Sequence, residues 1–255
     1  MRTSKLSTEV SSQIRLYEEL SLNSHVSLKT QFYDGWVIRY ANGYTNRANS
    51  VNMLYSSTLD LQRKISHCED FYEGLGRPCV FKVTDDNYID KVLEQRGYQL
   101  VTPTDLMIMD LEDKEFRAFD AVVTDHVTDE WLQAYYVLEH CTNLKTQETI
   151  KQILDLVQNQ CFYCRIVDHG KTIACASSVI ERGYMALLNV IVDEQYRGCG
   201  YGQRLCETLL SKAKEAGAHT AYLQVVQSNH VAHNLYEKLG YVQIYSYWYR
   251  VQEQS

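Results

Sequence analysis

Two stretches of the chain follow one plan. Residues 81–111, FKVTDDNYIDKVLEQRGYQLVTPTDLMIMDL, and residues 223–251, LQVVQSNHVAHNLYEKLGYVQIYSYWYRV, each read as a strand, a polar turn, a helix ending in Gly-Tyr and an alternating strand. Upstream of each lies another helix that ends near a glycine, LQRKISHCEDFYEGLG and YGQRLCETLLSKAKEAG, as helix C-termini do. Strand-helix-strand units are common, so chance likeness is the competing explanation. The matched Gly-Tyr helix ends favour a duplicated domain. The boundary is expected in the charged stretch LEDKEFRAFD, giving units over residues 1–112 and 113–255. With only two prolines and no Pro/Gly linker, the halves are expected to be packed together.

The second half reads as a strand (FDAVVTDHV), a helix opened by Thr128-Asp129-Glu130, and a second helix (TQETIKQILDLVQ). Three strands follow, joined by hairpin turns at Asp168-His169-Gly170 and Glu181-Arg182-Gly183, then helix, strand, helix and strand. Three antiparallel strands ahead of a helix predict an α+β fold, not the repeating βαβ of a doubly wound sheet.

Totals set outer limits. A chain of 255 residues accommodates one large core or two ordinary ones. No run of about 18 apolar residues is present to span a membrane, and no charged-then-apolar leader opens the chain. The opening stretch predicts a short polar lead and an amphipathic helix, and the expected location is the cytoplasm. Eight cysteines are then expected as reduced thiols. The one CxxC, Cys161 and Cys164, falls in a strand-like run, where positions i and i+3 point to opposite faces, so no metal is expected. A net charge of −7 opposes nucleic acid as a routine partner and is compatible with a cationic acceptor such as an amine.

The densest chemistry lies in LLNVIVDEQYRGCGYGQRL, residues 187–205. An apolar strand hands the chain to an acidic turn, then to Arg197 and three glycines in five positions, then to a helical pattern. Glycines admit positive φ and let backbone N–H groups approach a ligand. The first N–H groups of a helix lack intrahelical partners, so strand, glycine turn and helix make an anion cradle. The spacing excludes a Walker loop, since no Lys-Ser or Lys-Thr follows. A dinucleotide fingerprint fails as well, because the third glycine is misplaced at Gly202 and the acidic ribose partner is missing. What remains is R-x-x-G-x-G over Arg197, Gly198, Cys199, Gly200, Tyr201 and Gly202.

NVIVDEQYRGCGYGQRL followed by YLQVVQSNHVAHNLYEKLGY resembles the GCN5-related N-acetyltransferase (GNAT) superfamily, and most its ribosomal-protein alanine acetyltransferase branch, over roughly Phe119 to Arg250. The first half resembles a degenerate second copy, with nothing matching R-x-x-G-x-G. The resemblance implies two GNAT-like domains with mixed, mostly antiparallel sheets flanked by helices. It also implies that Arg197 to Gly202 hold the pyrophosphate of acetyl-CoA. Val190, Ile191 and Val192 would form the strand segment that splays at a bulge, pairing with the pantetheine arm and polarising the thioester carbonyl. A bulge frees N–H groups for that purpose; an ordinary buried strand is the bland alternative. The second motif, N-x-x-A-x-x-x-Y, would place Asn229 on the pantetheine arm and Tyr236 as proton donor to the departing thiolate, both on one helix face. A core aromatic is the alternative for Tyr236.

The pattern also departs. The glutamate expected before Asn229 is Gln224, and the one expected early on the bulged strand is Ala186. Glu139, His140, Glu181 or a water chain remain as proton acceptors. The expected function is transfer of acetyl from acetyl-CoA to a primary amine, on a small molecule or a peptide, without metal, nucleic acid or membrane, by a monomer or homodimer. The competing readings are a non-catalytic acyl-CoA sensor and a nucleotide-binding α/β protein. The tail YVQIYSYWYRV and the stretch GWVIRYANGYTNRANSVNML, with Trp36, Arg39, Tyr44, Asn46, Arg47 and Asn49, either wall an acceptor pocket or serve as scaffold.

Overall fold

The computed structural model describes residues 2–84 and 87–253, and side chains from residue 12 onward except that of residue 87. The polar lead and the turn at 85–86 of the first repeat therefore lie outside the described residues in whole or in part.

The chain forms two compact units. The first takes residues 1–105, 226–228 and 245–255; the second takes 106–225 and 229–244. The C-terminal residues thus join the first unit, not the half they follow in sequence. Unit one holds helix α1 (Arg2–Ser24), strands β1 (Lys29–Tyr33), β2 (Trp36–Tyr40) and β3 (Val51–Met53), helix α2 (Leu61–Glu73), strand β4 (Val80–Val83) and helix α3 (Asn87–Gln95). It also takes the first part of β5 (Tyr98–Asp110) and most of β11 (Val242–Gln252), in the strand order β1-β2-β3-β4-β11-β5.

Unit two holds the rest of β5, β6 (Val122–Thr124), helices α4 (Asp129–Leu138) and α5 (Leu144–Asp155), and the meander β7 (Gln160–Asp168), β8 (Lys171–Glu181) and β9 (Tyr184–Val192). Helix α6 (Tyr201–Glu215), β10 (Thr220–Val226) and α7 (His230–Leu239) follow. Its strand order is β5-β10-β9-β8-β7-β6. The β6-β7-β8-β9 pairs are antiparallel and β9-β10 is parallel, giving a mixed α/β fold where an α+β fold of two GNAT-like domains was expected.

Local chemistry explains these elements. Both hairpin turns of the meander put two successive residues at positive φ, His169-Gly170 and Arg182-Gly183, matching the twist of the flanking strands. Both repeat helices, α3 and α7, end at a glycine with φ above +80°, Gly97 and Gly240, so each Gly-Tyr pair is a left-handed stop followed by a buried tyrosine. In unit two, α6 buries Leu205, Cys206, Leu209, Leu210 and Ala213 completely against Ala174, Ala176, Met185 and Leu187. Each such leucine contributes about 2 kcal/mol by leaving water.

Of the two ambiguous segments, GWVIRYANGYTNRANSVNML and the tail from Tyr245 onward lie in unit one. Trp36, Arg39 and Asn49 are buried. Arg39 donates to the carbonyls of Leu22, His25 and Arg47, and Asn49 ties together Ala41, Gly43, Tyr44 and Thr45. The tail alternates as its sequence requires: Trp248 and Arg250 both bond Asp90, while Tyr247 and Tyr249 pack with Val80. Cys161 and Cys164 are buried in β7, and among the described residues no group of three or more His, Cys, Asp or Glu side chains is placed to hold a metal. No described helix is long and apolar enough to cross a membrane.

Candidate active site

Three elements of unit two deliver the singled-out residues to one place. Strand β9 pairs with β10 only from Tyr184 to Ala186, opposite Thr220 to Tyr222. Beyond Ala186 it runs on to Val192 without that neighbour, still laddered to β8 on its other side. Asp193 ends it. One carboxylate oxygen accepts from Gln195 N at 3.0 Å and the other from Lys171 Nζ at 2.7 Å. The Lys171 contact, then the Gln195 amide, hold this carboxyl below its ordinary pKa. Tyr196 donates its hydroxyl to Asp168 at 3.2 Å, so the β7–β8 hairpin braces the start of the glycine turn.

Gly198 and Gly200 adopt φ of +76° and +81°, and a Cβ at either would meet nothing within 4 Å. The demand there is conformational, not steric. Helix α6 begins directly after Gly200, and no side chain caps it. By contrast Asp60, Thr128, Asn143 and Asn229 cap α2, α4, α5 and α7 with a side-chain oxygen. An uncapped first turn leaves N–H donors and the positive end of the helix dipole for an outside anion. Arg197 stands beside it, 60% exposed at its side chain, with Nη1 3.5 Å from Glu194.

A cavity of about 490 Å³ opens here. Its walls include Val190, Val192, Arg197, Gly198, Gly200, Tyr201, Gly202, Asn229 and Tyr236. Ile191 and Cys199 are not among them. Ile191 falls on the opposite face of β9, and Cys199 carries an exposed thiol. Asn229 does not lie on a helix face as expected from the seven-residue spacing: it is the N-cap of α7, its Oδ1 accepting from Ala232 N at 3.1 Å. Tyr236 is a buried residue on the cavity wall. Burial, with a smaller contribution from Cys206, pushes its pKa well above 10, so it stays protonated.

The proton-acceptor options separate. Glu181 pairs with Tyr184 at the start of β9, held near Arg182 and Asn159, roughly 25 Å of strand from Val192 at about 3.3 Å per residue. Glu139 and His140 end α4 and are exposed. Ala186 is fully buried in the ladder.

Sequence reasoning missed Asn189, which has φ of +55° in the middle of β9. The available signal was an asparagine inside LLNVIV, since Asn tolerates the left-handed region better than other non-glycine residues. It also missed what fills the corresponding turn of the first unit. Asp34 turns its carboxylate onto the N–H groups of Thr58 and Leu59 at 2.8 to 3.0 Å, just ahead of α2, with Lys64 Nζ 3.3 Å away. In the first unit the chain's own anion takes the N–H groups of Thr58 and Leu59, whereas no described side chain caps the start of α6.

A mixed α/β unit with parted strands and an open glycine turn defines the class as acetyltransferases of the GNAT type, and comparison with known proteins agrees. A GCN5-related N-acetyltransferase from Kribbella flavida superposes with a TM-score of 0.71 at 14% identity, over 94% of this chain and 96% of that one. The uncharacterized N-acetyltransferase YobR of Bacillus subtilis is 26% identical over 246 residues, 93% of this chain and 98% of its own length. The ribosomal protein bS18 alanine N-acetyltransferase of Haemophilus influenzae is 31% identical over 80 residues, 31% of this chain and about half (54%) of that enzyme. Residues 11–250 match the family described as probable histone acetyltransferase Rv0428c C-terminal, and the chain belongs to that family within the GNAT N-acetyltransferases.

Proposed function

We propose that the chain moves an acetyl group from acetyl-CoA directly to a primary amine on a small molecule or peptide. The observation that supports this most is the uncapped N-terminus of α6 at a cavity shared with Tyr236 and with the end of β9 that no longer pairs with β10. The residues fit the co-substrate: the glycine turn offers backbone donors to a diphosphate, and the free edge of β9 offers peptide groups to an amide-bearing arm. Acetyl-CoA supplies an acetyl group activated as a thioester. Gly198 to Gly202 and Arg197 hold the diphosphate end. Val190 and Val192 line the arm's path. Tyr236 keeps its proton until sulfur leaves and then donates it. The amine's own proton passes to solvent or to a carboxylate such as Glu139.

Ala186 and Gln224, standing where related enzymes carry a carboxylate, favour a second reading, an acyl-CoA sensor without turnover. Thiol release from acetyl-CoA across a panel of primary amines and peptides decides between them. Turnover that Tyr236→Phe lowers by about 10² or more supports transfer. Tight binding with no release on any amine supports the sensor.

A further inference from the structure

The bulge in β9 is locked by side chains from two neighbouring elements. Ser177 pairs with Leu188 and Cys175 with Ile191, so Asn189 and Val190 together stand opposite the single residue Ala176. Asn189 carries the extra residue's strain at φ +55°. Its Nδ2 donates to Ser177 Oγ of β8 at 2.9 Å, and its Oδ1 accepts from Tyr135 of α4 at 3.5 Å. Tyr135 stacks on Trp131 at 5.2 Å, and Trp131 Nε1 donates to the carbonyls of Ala176 and Cys164 at 3.1 and 3.2 Å. The residue opposite the bulge and the bulged residue itself are therefore both held from α4.

The consequence is a change of face. Met185 and Leu187 point into the core beneath α6. In a regular strand Asn189 and Ile191 would continue that row. One inserted residue moves the row to Val190 and Val192, the two that line the cavity, and sends Ile191 to the other side. We propose that Asn189 is a positioning residue: gripped by Ser177 and Tyr135, it sets the register that presents Val190 to Val192 to the thioester end of acetyl-CoA. This rests on the function proposed above.

The test titrates the full-length chain with acetyl-CoA and with ADP, which carries a diphosphate but neither arm nor thioester. Asn189→Val removes both grips and disfavours positive φ; Ser177→Ala removes one grip without touching β9; Asn189→Asp keeps acceptors for Tyr135 and for the Ser177 hydroxyl. Acetyl-CoA affinity is expected to fall about tenfold in Asn189→Val and severalfold in Ser177→Ala, to recover in Asn189→Asp, and ADP affinity to stay unchanged throughout. Unchanged acetyl-CoA affinity in Asn189→Val and Ser177→Ala overturns the positioning role, as does an equal loss of ADP. A wild-type chain that binds no acetyl-CoA instead sinks the functional reading underneath.

Discussion

Replacing Gly200 by alanine isolates the conformational demand of the turn. Gly200 sits at φ +81°, ψ 3°, and a Cβ there has open space, so the whole cost is that of an L-residue in the left-handed region, about 1–2 kcal/mol. The residue is exposed and no side chain caps the helix it starts. Relaxing the turn is then easier than holding the strain, and the cost reappears when ligand must restore the geometry. That amounts to roughly a 5- to 30-fold loss of acetyl-CoA affinity at about 1.4 kcal/mol per tenfold. Gly217, at φ +87° past the other end of α6 and equally unobstructed, is the matched control. Gly217→Ala is expected to lower the melting temperature and leave affinity alone. Calorimetry and thermal unfolding of both variants read the two effects separately. Wild-type affinity in Gly200→Ala, or an equal loss in Gly217→Ala, refutes the reasoning.

Two further outcomes follow from side chains elsewhere. Asp90 accepts from Arg250 Nε and Nη2, both at 2.8 Å, and from Trp248 at 2.6 Å, with the Arg250 side chain only 6% exposed; Asp90→Ala leaves the buried guanidinium only its longer contacts to Glu94 and the Tyr98 carbonyl, at about 3 kcal/mol in denaturant unfolding at pH 7. The Arg250 hydrogen bond depresses the Asp90 pKa, so this stabilisation is present above the ordinary carboxyl value of about 3.9 and fades as pH falls through the lower folded one; a gap between wild type and variant that does not narrow in acid contradicts it. Cys199 is the exposed thiol beside the cradle, whereas burial pushes Cys164 and Cys175 up to about 12. Iodoacetamide is expected to modify Cys199 first, more slowly with acetyl-CoA present, as peptide mass spectrometry reads directly; faster labelling of Cys164 or Cys175 would oppose this.

What the sequence carried was local chemistry. Helix stops at Gly97 and Gly240, hairpin turns at His169-Gly170 and Arg182-Gly183, and the glycine turn before α6 each follow from residues within a few positions of one another, so their geometry was readable. Three features depend on partners far along the chain and were not. Asn189 needs Ser177 and Tyr135 to make sense of its conformation. Asp34 closes a turn 24 residues ahead of it, at Thr58. The tail from Tyr245 onward belongs with β4 and α3 of the first unit, and alternation alone does not say which neighbour a strand chooses. Asn229 was legible as a residue of the cavity wall but not as the N-cap of α7, although an asparagine ahead of an amphipathic helix is a favoured cap.

The most direct measurement is an isothermal titration of the intact chain with acetyl-CoA. Donors at the start of α6 are open and those ahead of α2 are taken by Asp34, so saturation is expected near one equivalent per chain, with Gly200→Ala weakening it. Absence of heat, or two equivalents bound per chain, would contradict that arrangement.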